Sequence, residues 1–124
     1  MSPKEKDDGE ILERIFHEPS RLSIMSALCA AEKGLTFGEL KEACILTDGN
    51  LNRHLAVLSE AGAVRIEKAF VDARPRTTVI LTKAGLARFM EYLDALTDVL
   101  KKARNAIPAE KRKQAVLLRR TAEA

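Results

Sequence analysis

Apolar positions along the chain fall into blocks of helical period, interrupted once by two blocks that alternate. Residues 11 to 17, "ILERIFH", place Ile11, Leu12, Ile15 and Phe16 on one side of a short first helix, which Pro19 is expected to close. Ser20 stands as an N-cap before "RLSIMSALCAA", where Leu22, Ile24, Met25, Leu28 and Cys29 predict a more buried second helix stopped by Gly34. In "LTFGELKEACI", Thr36 and Glu39 have capping-box spacing, and Phe37, Leu40, Ala43 and Cys44 repeat on one side of a third. After a turn at Leu46 and Thr47, Thr47 caps a fourth helix from about Asp48 to Ala61, ended by Gly62 in the left-handed C′ position. Two helices joined by so brief a turn make a helix-turn-helix.

The period then changes. "AVRIEKAF" sets Val64, Ile66 and Lys68 against Arg65, Glu67 and Ala69, and "TTVILT" is rich in β-branched residues, so both read as strands of a hairpin. Their connection, "VDARPR", reads as too long for a two-residue turn and is expected to project as a flexible loop with Arg74 near its tip. Thr82 caps a long helix broken at Pro108, along which Leu86, Phe89 or Met90, Leu93, Leu96, Leu100, Ala103 and Ile107 recur at about 3.5 residues. That period belongs to a helix packed lengthwise on another helix. A short last helix is expected through Ala115, Val116, Leu117 and Leu118. The fold class is therefore mainly α with a small β-hairpin (α+β). It divides into a tail at 1–8, a compact domain at 9–82, and a long helix with a basic tail at 83–124.

Composition narrows the function. In 124 residues, 46% apolar and 31% charged, there is enough core for one globular domain and no run that would span a bilayer; "MSPKEKDDGE" carries no export signal, so the expected location is the cytoplasm, with no membrane partner. Cys29 and Cys44 form no CxxC and have no histidine pair nearby, so they are expected to be buried structural thiols, with no metal site and no cofactor. No nucleophile with a base, phosphate-cradling loop or paired-carboxylate motif occurs, which argues against an enzyme. Five aromatic residues are too few for a single-strand stacking platform, so duplex DNA is the nucleic acid to consider. The net charge of +3 is concentrated at the C-terminus, where residues 101–120 hold 8 basic side chains and 1 acidic; a solvated helix accounts for such a run as readily as phosphate contact does.

On the fourth helix Leu51, Leu55 and Leu58 point one way, with His54 at the edge of that face as a partly buried, hydrogen-bonded residue. The opposite sector carries Gly49, Arg53, Ala56 and Glu60, flanked by Asn50 and Asn52. Arg can bond a guanine edge bidentately and Asn an adenine edge, while Gly and Ala allow close approach, so this face suits a major groove. A capping role for Gly49 and the asparagines and a solvated Arg53 are the plain alternative. Arg74 and Arg76 could reach an adjacent minor groove from the hairpin, with Asp72 expected to pair with and orient an arginine.

Three strings in order, "HEPSRLSIMSAL", "LNRHLAVLSEAGAV" and "DARPRTTVILTKAG", resemble the winged helix-turn-helix transcriptional regulators of the MarR and ArsR superfamilies over about residues 17 to 90. The pairing of "LTDGNL" with "RPRT" is similar to a small winged-helix DNA-binding family. The resemblance implies a homodimer on a pseudo-palindromic operator, one recognition helix per half-site; a dimer bound over a promoter blocks polymerase without further machinery, so repression is the expected outcome. The resemblance makes Thr47, Gly49, Asn50, Asn52 and Arg53 contacts to the major groove or its phosphates, and Arg74, Arg76 and Thr77 contacts of the wing. The dimer would be built by Ile11, Ile15, Leu86, Phe89, Leu93, Leu96 and Leu100, and a small-molecule effector is a candidate partner in the cleft between DNA-binding domain and dimer helices. The paired cysteines of metal-sensing relatives are missing from "GELKEAC", which leaves Cys44 only as a candidate reporter of oxidation. A winged helix can also serve as a protein-docking module, the rival reading.

Overall fold

The computed structural model describes residues 13 to 123, in the order α1 (Pro19–Cys29), β1 (Leu35–Thr36), α2 (Phe37–Cys44), α3 (Asp48–Glu60), β2 (Val64–Val71), β3 (Arg74–Leu81), α4 (Lys83–Ala106) and α5 (Ala109–Glu123). The helix starts are set largely by side-chain caps. Thr36 and Glu39 close a reciprocal capping box on α2, with Glu39 N to Thr36 Oγ1 at 3.1 Å and Thr36 N to Glu39 Oε1 at 2.8 Å. Thr47 accepts from Asn50 N at 3.2 Å and Thr82 from Gly85 N at 2.8 Å, so three of the expected caps form. Gly62 follows α3 at φ +76°, the left-handed position that only glycine adopts freely.

The start of α1 differs from expectation. Pro19 opens this helix rather than closing an earlier one, because its fixed φ suits the first helical position and its missing N–H would lack a partner there anyway. The cap is Glu18, which accepts from Arg21 N at 2.9 Å, and Ser20 lies inside the first turn. Residues 13 to 18 form turns in which Phe16 N and His17 N both bond the Glu13 carbonyl. Ile11 and Leu12, the rest of the expected first helix, lie outside the described residues, as does the tail.

The hairpin is also tighter than expected. Val71 pairs with Arg74, leaving only Asp72 and Ala73 in the turn, at φ +53° and +64°. Two consecutive left-handed residues make the two-residue turn whose twist matches that of the strands it joins. Asp72 is thus a turn residue, and among the described residues it forms no ion pair with an arginine. Leu35 and Thr36 add a third strand, giving an antiparallel sheet of order β1-β3-β2. Pro75 fits in β3 because the pair closing a two-residue turn exchanges hydrogen bonds, so the next pair, Phe70 with Pro75, needs no donor. Its nitrogen faces the far edge, where β1 reaches only Thr78 and Val79.

The core gathers Ile24, Met25 and Leu28 of α1, Leu40 of α2, Leu51, Leu55 and Leu58 of α3, Val64 and Val79 of the sheet, and Phe16, Phe89 and Tyr92. Phe16 meets Phe89 edge to face at 5.3 Å between ring centres, and Phe89 stacks on Tyr92 at 5.9 Å. Phe89 is therefore enclosed in its own chain, which corrects its expected place in a dimer interface. Adjacent helical positions lie ~100° apart, so Met90, 56% exposed, takes the outward position instead. Ile15 and Leu96 are likewise packed against this core, partly buried. Leu86, Leu93 and Leu100 remain on the outer stripe of α4. The cysteines are less buried than expected: Cys29 is exposed and Cys44 half-buried.

Candidate nucleic-acid interface

The leucines of α3 turn Leu51, His54, Leu55 and Leu58 into the core and leave Thr47, Gly49, Asn50, Asn52, Arg53 and Ala56 exposed. The helix is held there at three points. From α1, Arg21 Nη1 lies 3.0 Å from His54 Nδ1, and Glu18 Oε2 lies 3.7 Å from the same nitrogen. From α4, Arg88 Nη1 donates to the Ala61 carbonyl at 2.7 Å while its Nη2 bonds Glu13 at 2.8 Å. Thr82 Oγ1, lastly, lies 2.7 Å from the Gly62 carbonyl. Helix α3 thus has an anchored inner face and a free outer face.

The outer face is partly organised. Arg53 Nη2 donates to Asn50 Oδ1 at 3.2 Å, so the two residues suited to base edges already touch one helical turn apart. Lys41 Nζ sits 2.9 Å from Asp48 Oδ1 and neutralises the one carboxylate in the first turn, leaving the helix N-terminus open to a phosphate. At the start of α2, the Thr36 backbone N–H, then its hydroxyl and the charge of Arg76, hold the Glu39 carboxyl below its ordinary range.

Register decides what each side of the wing presents. Strand residues alternate sides and cross-strand partners share one, so Val64, Ile66, Lys68 and Phe70 share a face with Leu81, Val79, Thr77 and Pro75. This face begins in the core. Further out it forms one wall of a groove of about 350 Å³ against α3, with Asn52 and Ala56 opposite Lys68 and Thr77 and with Phe37, Leu55 and Ile66 as the floor. Arg74 and Arg76 lie on the other face with Arg65 and Glu67, which pair at 3.1 Å. Asn52 and Thr77 are therefore brought together, while Arg74 and Arg76 stand apart from them near the tip. Lys68 is a member of the groove that sequence reasoning did not select, although its alternation with Val64 and Ile66 already placed it on that side.

Among the described residues no group of three or more His, Cys, Asp or Glu could hold a metal ion, and no helix is long and apolar enough to cross a membrane. A model of a winged helix DNA-binding domain family matches residues 20–100. The chain belongs to this winged helix DNA-binding domain family. It is 36% identical over 80 residues to an uncharacterised protein of Methanocaldococcus jannaschii, covering 64% of this chain and 86% of that one. The structure of a transcriptional regulator homologue from Pyrococcus horikoshii superposes with a TM-score of 0.70 at 33% identity, over 77% of this chain and 94% of that one. A MarR-family transcriptional regulator of Streptomyces coelicolor, solved in complex with DNA, shares the fold at a TM-score of 0.59 and 20% identity, over 94% and 79% of the two chains. The chain thus carries a winged helix DNA-binding domain and is similar to a transcriptional regulator homologue.

Proposed function

We propose that this winged-helix protein is a cytoplasmic, homodimeric repressor that reads a pseudo-palindromic operator. Helix α3 enters the major groove, with Arg53, Asn50 and Asn52 directed at base edges and Thr47 and Gly49 at the neighbouring phosphates. The observation that carries this reading is the division of α3: a leucine face locked in the core and an exposed sector of small, amide and guanidinium side chains beside a groove walled by Lys68 and Thr77. Arg74 and Arg76 supply cations on the wing's other side. Two recognition helices related by a two-fold axis would meet half-sites roughly 34 Å apart.

The dimer is supported by surface that the single chain leaves uncovered. Leu86, Met90, Leu93 and Leu100 of α4 and Ile107 just after it are all at least 38% exposed, and every described side chain of α5 is exposed, Leu117 and Leu118 by 61% and 70%. A 15-residue helix without packing is marginal in water, so α5 needs a second surface. A cleft of about 340 Å³ between α1 and α4, lined by His17, Glu18, Pro19, Leu22, Tyr92 and Leu96, is where a small-molecule effector would sit. It adjoins the hydrogen bond of 2.9 Å between His17 Nδ1 and the Tyr92 hydroxyl.

Selection of bound sequences from random duplexes tests the reading. The wild-type protein should enrich a palindromic site with steep salt dependence, and Arg53→Ala should relax the preference at one base position per half-site by about 1–3 kcal/mol. Absence of any enrichment would favour a protein-docking module instead.

A further inference from the structure

We propose that Phe70 and Pro75 form an apolar wedge at the end of the wing, which enters the DNA minor groove beside α3 and loosens a base step there. The proposal rests on the DNA-binding reading above. Phe70 is 78% exposed, although the face of β2 to which it belongs starts in the core at Val64. It stands four residues beyond Ile66, the last residue of that face packed on the core, which is about 13 Å of strand. Pro75 lies directly across from it in a pair without hydrogen bonds, the closer of the two antiparallel pairings. The two-residue turn at Asp72 and Ala73 fixes this arm as a firm ribbon, so the ring and the proline are presented together.

Charge identifies the occupant. Residues 68–76 hold three basic side chains, Lys68, Arg74 and Arg76, and one acidic, Asp72. By register Lys68 lies on the wedge's own face and the arginines lie on the other, so the apolar pair is collared by cations on both sides. A polyanion with an apolar interior fits that arrangement: phosphates for the collar, sugars and base edges for the ring. A second copy of the chain fits poorly, since its other exposed apolar cluster, Val116 to Leu118, is flanked by Arg112, Lys113, Arg119 and Arg120 and would meet the wing with like charge. Apolar side chains placed in the minor groove unstack a step and kink the duplex toward the major groove, and pyrimidine–purine steps yield most easily. The wedge thus predicts a flexible step at a fixed offset from the bases read by α3.

The experiment uses the full-length protein and its best duplex from selection, with 2-aminopurine at the flexible step and a fluorophore pair at the duplex ends. Wild-type protein should raise the 2-aminopurine signal and shorten the end-to-end distance. Phe70→Ala should abolish both and weaken binding about tenfold, with thermal stability of the free protein unchanged, whereas Phe70→Leu should retain most of the bend. Phe70→Ala that binds and bends DNA like wild type overturns the wedge and leaves the DNA reading intact. Loss of dimer mass in Phe70→Ala without any change in the bend also overturns it and makes Phe70 a protein contact. Wild-type protein that binds no duplex overturns both.

Discussion

Arg21 Nη1 and His54 Nδ1 lie 3.0 Å apart across the contact of α1 with α3, and His54 is 6% exposed. In this arrangement the guanidinium donates and the neutral imidazole accepts at Nδ1, with its hydrogen on Nε2. Burial holds His54 below the ordinary imidazole range; Glu18 opposes the shift, and the charges of Arg21 and Arg53 add to it. The folded pKa is then lower than the unfolded one, and the unfolded chain takes up the proton more readily. This contribution to stability is fully present above about pH 6.5 and is lost as pH falls through the folded value. Urea midpoints measured between pH 8 and pH 5 should fall on acidification, and His54→Gln should flatten the fall; parallel curves would rule out His54 as the titrating group. Arg21→Ala, which also removes a bond of 2.6 Å to the Ile15 carbonyl, should cost about 2–3 kcal/mol at neutral pH.

Among the described residues three sit in left-handed backbone without being glycine: Ile45, Asp72 and Ala73. Ile45, 89% exposed at φ +54°, is β-branched, so its strain exceeds that of Ala73 at φ +64°. Ile45→Gly should stabilise the protein by about 1 kcal/mol and Ala73→Gly by about half that, the unfolded-state entropy of glycine offsetting part of each gain. Thermal unfolding checks both, and a drop in Tm for Ala73→Gly would mean that the turn is not under strain.

Gly85 is where α4 crosses the end of α3, and a Cβ there would run into the Ala63 carbonyl. Backbone cannot yield as a flexible side chain can. Gly85→Ala is expected to cost about 3 kcal/mol, read as a lowered urea midpoint. Gly49→Ala, whose added carbon meets nothing within 4 Å, is the control and should not destabilise.

Phe89 and Leu93, one helical turn apart, should answer differently to substitution. Phe89→Ala removes a ring that is 1% exposed and should destabilise the fold by about 3–5 kcal/mol. Leu93→Asp changes a side chain 38% exposed on the outer stripe; it should leave the far-UV circular dichroism intact and shift the sedimenting mass from dimer to monomer. A dimer that survives Leu93→Asp would move the interface elsewhere.

Local chemistry made the helices after α1 legible: Thr36, Thr47 and Thr82 cap as their sequence context implies, because a cap depends on residues only three apart. The wing turn was hidden because "VDARPR" contains no glycine, and only the pairing of β2 with β3 forces Asp72 and Ala73 into left-handed backbone. Strand β1 is two residues long and exists through β3, so no alternation could announce it. Phe89 and Met90 could not be separated by period alone, since the choice was made by Phe16, 73 positions away. In the candidate site, the polar face of α3 was readable from helical spacing, whereas the placing of Arg74 and Arg76 opposite Thr77 depended on a register that the unread turn determines.

The end of α3 is clasped by α4 through Thr82 and Arg88. These bonds leave α3 little freedom to swivel on its own, so the two helices move as the jaw and handle of one caliper. In a two-fold assembly the gap between the jaws is then set by how the handles cross, far from any base, and tilting the handles by a few degrees is enough to take both jaws out of step with the turn of the double helix.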